Sequence, residues 1–413
     1  MDIVHHCCAG IDVHKKTIVI CVLTSPTTGS PTRVLRTFST LPPDLQRARD
    51  WLISQQVTHV AMESTGVYWK PIYEVLEGCM ELLLVNAQHI KALPGRKTDL
   101  KDAEWIAQLL QHGLLRPSFV PDLWQRHLRE LTRSRTRLVQ ERARFIQRIH
   151  KVLEEAHCKL ASVVSDLMGV SAQAILQALL AGQSDPSVLA QLARGRLRRK
   201  RDLLSQALQG QFLPHHHLLL KEYLSLIDDL DESIAHLSSA IAEELRPHEA
   251  LLTRLQTIPG IGLRLAEVIL AEIGVNMDRF PSAQHLASWA GMCPGNHESA
   301  GKRKQGTIRP ANPWLRSALT EAAHAASHTK NTYLSAQYHR LAARRGAKKA
   351  TIALGHSLLV IIYHLLTEKT DYKELGHNYF DEHDRQAVQR RLVHRLEQLG
   401  YGVVLTPERS PVL

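Results

Sequence analysis

Two aspartates, Asp99 and Asp102, stand three residues apart in the stretch KTDLKDAE, residues 97–104. On a helix such residues share a face, so their carboxylates repel unless a cation lies between them. The pair is therefore either solvated or holds a metal. Two further acids stand in or at the end of β-branched runs: Asp12 in GIDVHK and Glu63 in THVAMES. Hard divalent cations bind carboxylate oxygens, and two of them about 4 Å apart clamp the attacking and leaving oxygens in phosphoryl transfer. Asp12, Glu63, Asp99 and Asp102 are the candidate ligands of Mg²⁺, with Mn²⁺ as the alternative. A second chemistry is offered by Ser299 in GNHESAGKRKQG, residues 295–306. A serine needs a base, a metal or nearby cations to attack at neutral pH, and Lys302, Arg303 and Lys304 could hold a phosphate and offset its charge. On residue type alone, a loop serine is far more often a turn or cap residue.

These residues need a scaffold. Residues 10–23 read as two strands around a polar turn at His14–Lys16, and RVLRTFST continues as a third. Pro42 and Pro43 open a helix; a strand over 58–64, a helix from Gly66 to Gly78, a strand over 80–86 and a helix from about Thr98 to Leu115 complete the order β-β-β-α-β-α-β-α. In a sheet with a parallel core, strand ends and the adjoining helix converge on one crevice, which would gather the four carboxylates.

From about residue 119 the pattern is helical. Residues 126–151 carry nine Arg/Lys against two Glu, interleaved with Leu131, Leu138, Phe145 and Ile149. This gives a basic face and an apolar stripe. Arg133, Arg137 and Arg144 there, with Arg198, Arg199 and Lys200 in RGRLRRKR, are candidate phosphate contacts, as are Lys348 and Lys349; such runs are also the ordinary surface of solvated helices and loops. Leu220, Tyr223, Ile227, Leu230, Ile234, Leu237 and Ile241 alternate by three and four, the spacing of a coiled coil, which suits a helical hairpin or a dimer. The segment LQTIPGIGLRLAEVILAEIG resembles a helix-hairpin-helix. Gly260 and Gly262 would free backbone N–H groups to face a phosphate, or else allow close packing of two helices. The apolar stretch 351–366 contains His356 and His364 and reads as a buried helix rather than a membrane span.

A chain of 413 residues suggests two or three domains, and 44% hydrophobic with 22% charged residues is the composition of a globular protein. A net charge of +11 favours a polyanionic partner, nucleic acid first. Six cysteines without a CxxC pair exclude a zinc ribbon and a disulfide framework and fit a reducing cytoplasm. No signal-peptide pattern is present at the N-terminus, so membrane and export functions are not expected.

GIDVHK, MESTGVYW, KTDLKDAEWIA, IPGIG and WAGMCPGNHESAGKRKQG followed by NPWLRSALTEAAHAA, in this order over about residues 8–370, resemble the DEDD transposases of the insertion-sequence-110 family. The resemblance implies an α/β plus all-α chain. Its parts would be an RNase H-like (RuvC-like) domain over 1–118, a helical coiled-coil and dimerisation region over 119–250, a mostly helical transposase domain with the serine over 251–372, and a tail over 373–413. It implies that Asp12, Glu63, Asp99 and Asp102 bind Mg²⁺ and that Ser299 becomes covalently joined to DNA. A bacterial, nucleoid-associated homo-oligomer, dimer or tetramer, would act on element ends and target, guided by a structured noncoding RNA. A composite active site, shared between protomers, is a further expectation. The rival readings are a hydrolytic RuvC-like nuclease or junction resolvase, in which Ser299 is structural, and a non-catalytic nucleic-acid-binding protein.

Overall fold

A computed structural model describes residues 2–25, 31–64, 66–86, 102–293, 297–299, 302–304 and 311–406. They group into two compact units, Met1–Pro121 and Asp122–Leu413.

The first unit is built on a five-stranded sheet of β1 (Cys7–Val13), β2 (Thr17–Thr24), β3 (Thr32–Ser39), β4 (His59–Glu63) and β5 (Glu81–Val85), in the order β3-β2-β1-β4-β5. The first three strands form an antiparallel meander, and β1, β4 and β5 are parallel. The β1–β2 turn closes where the His14 N–H donates to the Thr17 carbonyl at 3.0 Å. Parallel strands need crossovers, and these are α1 (Pro42–Ser54) and α2 (Trp69–Leu76). Successive side chains of a strand point to opposite faces, so each face of β1 has its own core. Ala9, Ile11 and Val13 meet Leu45, Leu52, Ile72 and Leu76 of the crossover helices. Cys8 lies on the other face with Cys21 and Ala61, under Ala103, Ile106, Ala107 and Leu110 of α3 (Asp102–Gln111). Burial on both faces explains why β1 and β2 are almost continuously apolar. The helix expected to begin near Thr98 is described from Asp102 onward, and Asp99 lies outside the described residues.

Among its described residues the second unit forms helices and one short hairpin. Its frame is α4 (Leu123–Glu155) and, after α5 (Leu160–Val163), α6 (Val170–Leu180), α7 (Pro186–Gln191) and α8 (Arg201–Ala207), the long α9 (Pro214–Leu245). At 1.5 Å per residue, α4 spans about 50 Å. Asp122 caps its start by accepting from the Gln125 N–H at 2.9 Å. The stripe on α9 is covered by α4 of the same chain: the Phe145 and Tyr223 rings meet at 5.8 Å, and Arg142 pairs with Asp231 at 2.5 Å. These pairs ascend on α4 as they descend on α9, so the two helices are antiparallel. Of the two uses that the spacing suggested for this stripe, the chain makes the hairpin.

Each end of the hairpin is buried in a different core. Ile149 and Leu153 with Leu220 and Ile227 join α5 to α8. Leu128 with Ile241 and Leu245 joins α10 (Glu249–Gln256), α11 (Leu263–Ile273), α12 (Ala283–Trp289), α13 (Pro313–His328) and α15 (Ala347–Glu368); α14 (Tyr333–Arg345) adds Leu334. By length and composition α15 could cross a membrane, but Leu354, Leu358, Leu359 and Ile362 are fully buried in this core. The reading as a buried helix therefore holds. The chain ends in α16 (Tyr379–His383) and α17 (Arg385–Gln398).

Candidate active site

Glycine at position 10 decides how the carboxylates meet. A Cβ on Gly10 would lie 2.2 Å from the Ala103 carbonyl oxygen and 2.4 Å from the Ala107 nitrogen, so α3 rests directly on the backbone of β1. Only a residue without a side chain permits that approach. The Cys8 thiol, two residues earlier on the same face, lies 3.7 Å from the Ala107 carbonyl. Moving from Cys8 through Gly10 toward Asp12 therefore travels from Ala107 toward the start of α3, where Asp102 stands.

Strand register supplies the third acid. In the parallel β1–β4 pair, Gly10 is opposite Ala61 and Ile11 opposite Met62, so the next residues, Asp12 and Glu63, end neighbouring strands side by side. By the alternation of the strands, both continue the face that α3 covers. The register thus sets Asp12 and Glu63 on neighbouring strands, on the face that α3 covers, with Asp102 at the start of that helix, although 51 and 39 positions separate the three in the chain. Among the described residues no three His, Cys, Asp or Glu side chains close into a metal-binding group. Chemically the set fits a hard divalent cation: three oxygen donors on adjoining strand ends and a helix start, with Asp102 exposed to solvent.

The surroundings sort these acids from their neighbours. Glu104, also in the first turn of α3, is buried and held by Arg33 at 2.5 Å. Its charge is already matched. Beneath the carboxylates the sheet is neutral: burial pushes the Cys8 thiol up to about 12 and the Cys21 thiol up to about 11. Asp12 is contacted by His14 Nε2 at 3.0 Å, a neighbour that the reading of the sequence for acids does not include. The signal was present, since positions 12 and 14 follow the period of two of the strand.

Ser299 belongs to the second unit. It closes β6 (His297–Ser299), which pairs antiparallel with β7 (Lys302–Lys304) across the two residues Ala300 and Gly301. The register sets Ser299 opposite Lys302 and Glu298 opposite Arg303.

The candidate nucleic-acid contacts divide by their partners. Arg133 is committed: its Nε and Nη2 reach the two carboxylate oxygens of the fully buried Glu272 at 2.7 and 2.8 Å. Glu272 also accepts from Asn312 Nδ2 at 2.5 Å, and Asn312 Oδ1 caps α13 by accepting from Trp314 and Leu315 N–H groups. Arg137 lies 5.3 Å from the centre of the Trp314 ring, and Arg144 pairs with Glu141 on the helix surface. Arg198, Arg199 and Lys200 are exposed, with no ion pair among the described residues. Gly260 has φ of +89°, and a Cβ there would lie 2.5 Å from the Ala322 carbonyl oxygen. Close packing against α13 therefore accounts for that glycine, whereas a Cβ on Gly262 would meet nothing within 4 Å.

Known protein families match two stretches of the chain. Residues 9–158 match a transposase family of the DEDD IS110 type, and residues 252–340 match the transposase IS116/IS110/IS902 family. The first match contains Asp12, Glu63, Asp99 and Asp102; the second contains Ser299. A transposase for insertion sequence element IS1111A from Coxiella burnetii is 27% identical over 328 residues, which is 78% of this chain and 80% of that protein. A 43.6 kDa protein of insertion element IS110 from Streptomyces coelicolor is 28% identical over 68% of this chain and 73% of its own length. A pilin gene-inverting protein from Moraxella bovis is 32% identical over 38% of this chain and 48% of its own length. The two family matches lie in order along more than half of the sequence, each carrying one of the two candidate chemistries, and the chain belongs to the IS110 family of transposases, enzymes of DNA recombination.

Proposed function

We propose that this transposase cuts and rejoins DNA through a serine-linked intermediate, with Asp12, Glu63, Asp99 and Asp102 as metal ligands and Ser299 as nucleophile. The observation that supports the first half is the β1–β4 register together with the contact at Gly10, which set Asp12 and Glu63 on neighbouring strands under the helix that Asp102 begins. The strand order, an antiparallel meander extended by two parallel strands, supports reading the first unit as RNase H-like.

A divalent cation, Mg²⁺ by preference, would be held by those carboxylates and would supply electrostatic stabilisation of the phosphate being transferred. The chain's own part is positional. Asp102 is presented at a helix start, and Asp12 and Glu63 by rigid strand ends. Ser299 Oγ would attack phosphorus, forming one P–O bond while one P–O ester bond of the strand breaks; the serine proton ends on the released deoxyribose hydroxyl. The number of phosphoester bonds is unchanged, so the reverse attack by a DNA hydroxyl frees the serine without a nucleotide cofactor. Lys302, Arg303 and Lys304, bound to Ser299 by the short hairpin, would bind the phosphate. By the family resemblance we extend the proposal to a structured guide RNA, which would place target choice in base pairing, and to a homo-oligomer with element ends and target as its DNA.

The test is incubation with Mg²⁺, element-junction DNA and RNA transcribed from the element's end, followed by denaturation and a search for protein–DNA adducts. Wild type should form an adduct that Ser299→Ala and Asp102→Ala both lose. Free-ended nicks that survive Ser299→Ala would instead establish a hydrolytic nuclease.

A further inference from the structure

Both family matches end before residue 341, yet the chain goes on to form a helix that has no core of its own. None of the residues of α17 is buried. The helix is tied to the body through α16, where Phe380 stacks on Tyr333 at 5.1 Å, Tyr379 meets the same ring edge-on at 5.2 Å, and the Arg340 guanidinium lies 5.4 Å from the Phe380 ring. An isolated helix of this length is marginal in water, so an uncovered amphipathic one implies a partner.

The chemistry of the uncovered side identifies that partner. At about 100° per residue, Arg385, Arg391, Arg395, Leu392 and Leu396 fall on one side of α17. All five are exposed, Leu392 by 52% and Leu396 by 43%. The one acid of the helix, Glu397, lies beside His394 at 4.0 Å, and none of the three arginines forms an ion pair among the described residues. The helix that α16 packs against, α14, contains no acid and ends in the exposed Arg344 and Arg345. Guanidinium forks with no carboxylate match phosphate oxygens in pairs. We infer that α17 is an accessory arm that grips the phosphodiester backbone of duplex DNA, the polymer that a DNA recombination enzyme handles, through Arg385, Arg391 and Arg395, outside the part of the chain that carries the catalytic residues. The arm does not depend on which group attacks the phosphate; it rests only on the chain's handling of nucleic acid.

The experiment compares full-length wild type with Arg385→Glu/Arg391→Glu/Arg395→Glu, a change confined to exposed positions. Binding to duplex DNA and to structured RNA is measured separately over a range of KCl concentrations. Each lost phosphate contact lowers the slope of log affinity against log salt by about 0.9, so the triple variant should lose about 3 in slope and at least tenfold in affinity on duplex DNA. Unchanged affinity and slope on DNA would overturn the inference, and so would a loss confined to RNA. A second variant, Leu392→Ser/Leu396→Ser, is followed by sedimentation: a smaller assembly with intact nucleic-acid affinity would mean that a second copy covers this face, which also overturns it.

Discussion

At Gly10 a single missing methyl group sets the geometry of a candidate catalytic edge. The Ala103 carbonyl and the Ala107 nitrogen occupy the space in which a side chain would begin, and both are backbone atoms that cannot rotate away. Gly10→Ala should therefore cost about 3 kcal/mol by overpacking, with α3 displaced and Asp102 moved relative to Asp12. Urea denaturation checks the first part and metal-dependent cleavage the second; a variant with wild-type stability would show that α3 shifts without cost. The sequence names Asp12, Glu63 and Asp102 and puts them on strands and a helix that a parallel core would gather, but it does not give the register that sets Asp12 beside Glu63. That adjacency depends on parallel pairing between strands about fifty residues apart, which periodicity within either strand does not specify. Gly260 shows the same limit from the other side: the PGIG turn is legible, but the carbonyl of Ala322 that excludes a Cβ is contributed by a distant helix.

Among the elements, α4 is both a frame and a source of buried charge. Arg129 and Arg133 converge on Glu272, with the Arg129 guanidinium 3.5 Å from the carboxylate and lowered to about 10 by burial, a value at which it still carries its charge at neutral pH. Glu272 in turn fixes the Asn312 cap, so α4, α11 and α13 are bonded through one carboxylate. Glu272→Ala leaves two arginines without their counter-ion in a dry site and should destabilise the second unit by about 3 to 5 kcal/mol. Calorimetry of the full chain would register this as a lowered transition, and an unchanged one would mean that solvent reaches the site. The strands of the first unit were legible because β-branched runs and polar turns alternate there. The basic face of α4 was legible too, although its division was not: composition cannot separate Arg133, bonded inward to Glu272, from Arg198, turned to water. The heptad-like spacing on α9 likewise announced a covered face without naming the helix that covers it.

The whole chain places its two candidate chemistries in separate compact units, the carboxylates in Met1–Pro121 and Ser299 in Asp122–Leu413. Composition and length suggest more than one domain, and the pattern changes from strands to long helices near residue 119. Less visible in the sequence was that the long hairpin is no detached linker, since its two ends complete the cores of the helices around it. The first unit closes cores on both faces of its sheet from its own residues. A polypeptide of about 120 residues that buries both faces of a sheet is within the range that folds alone. Residues 1–121 expressed by themselves are thus expected to unfold cooperatively in urea, and Gly10→Ala should lower their stability by the same amount as in the full chain, because the atoms it would strike all belong to this unit. A fragment without a cooperative transition would show that the sheet requires the second unit to fold. A larger loss in the full chain than in the fragment would show that strain at α3 is transmitted beyond Pro121.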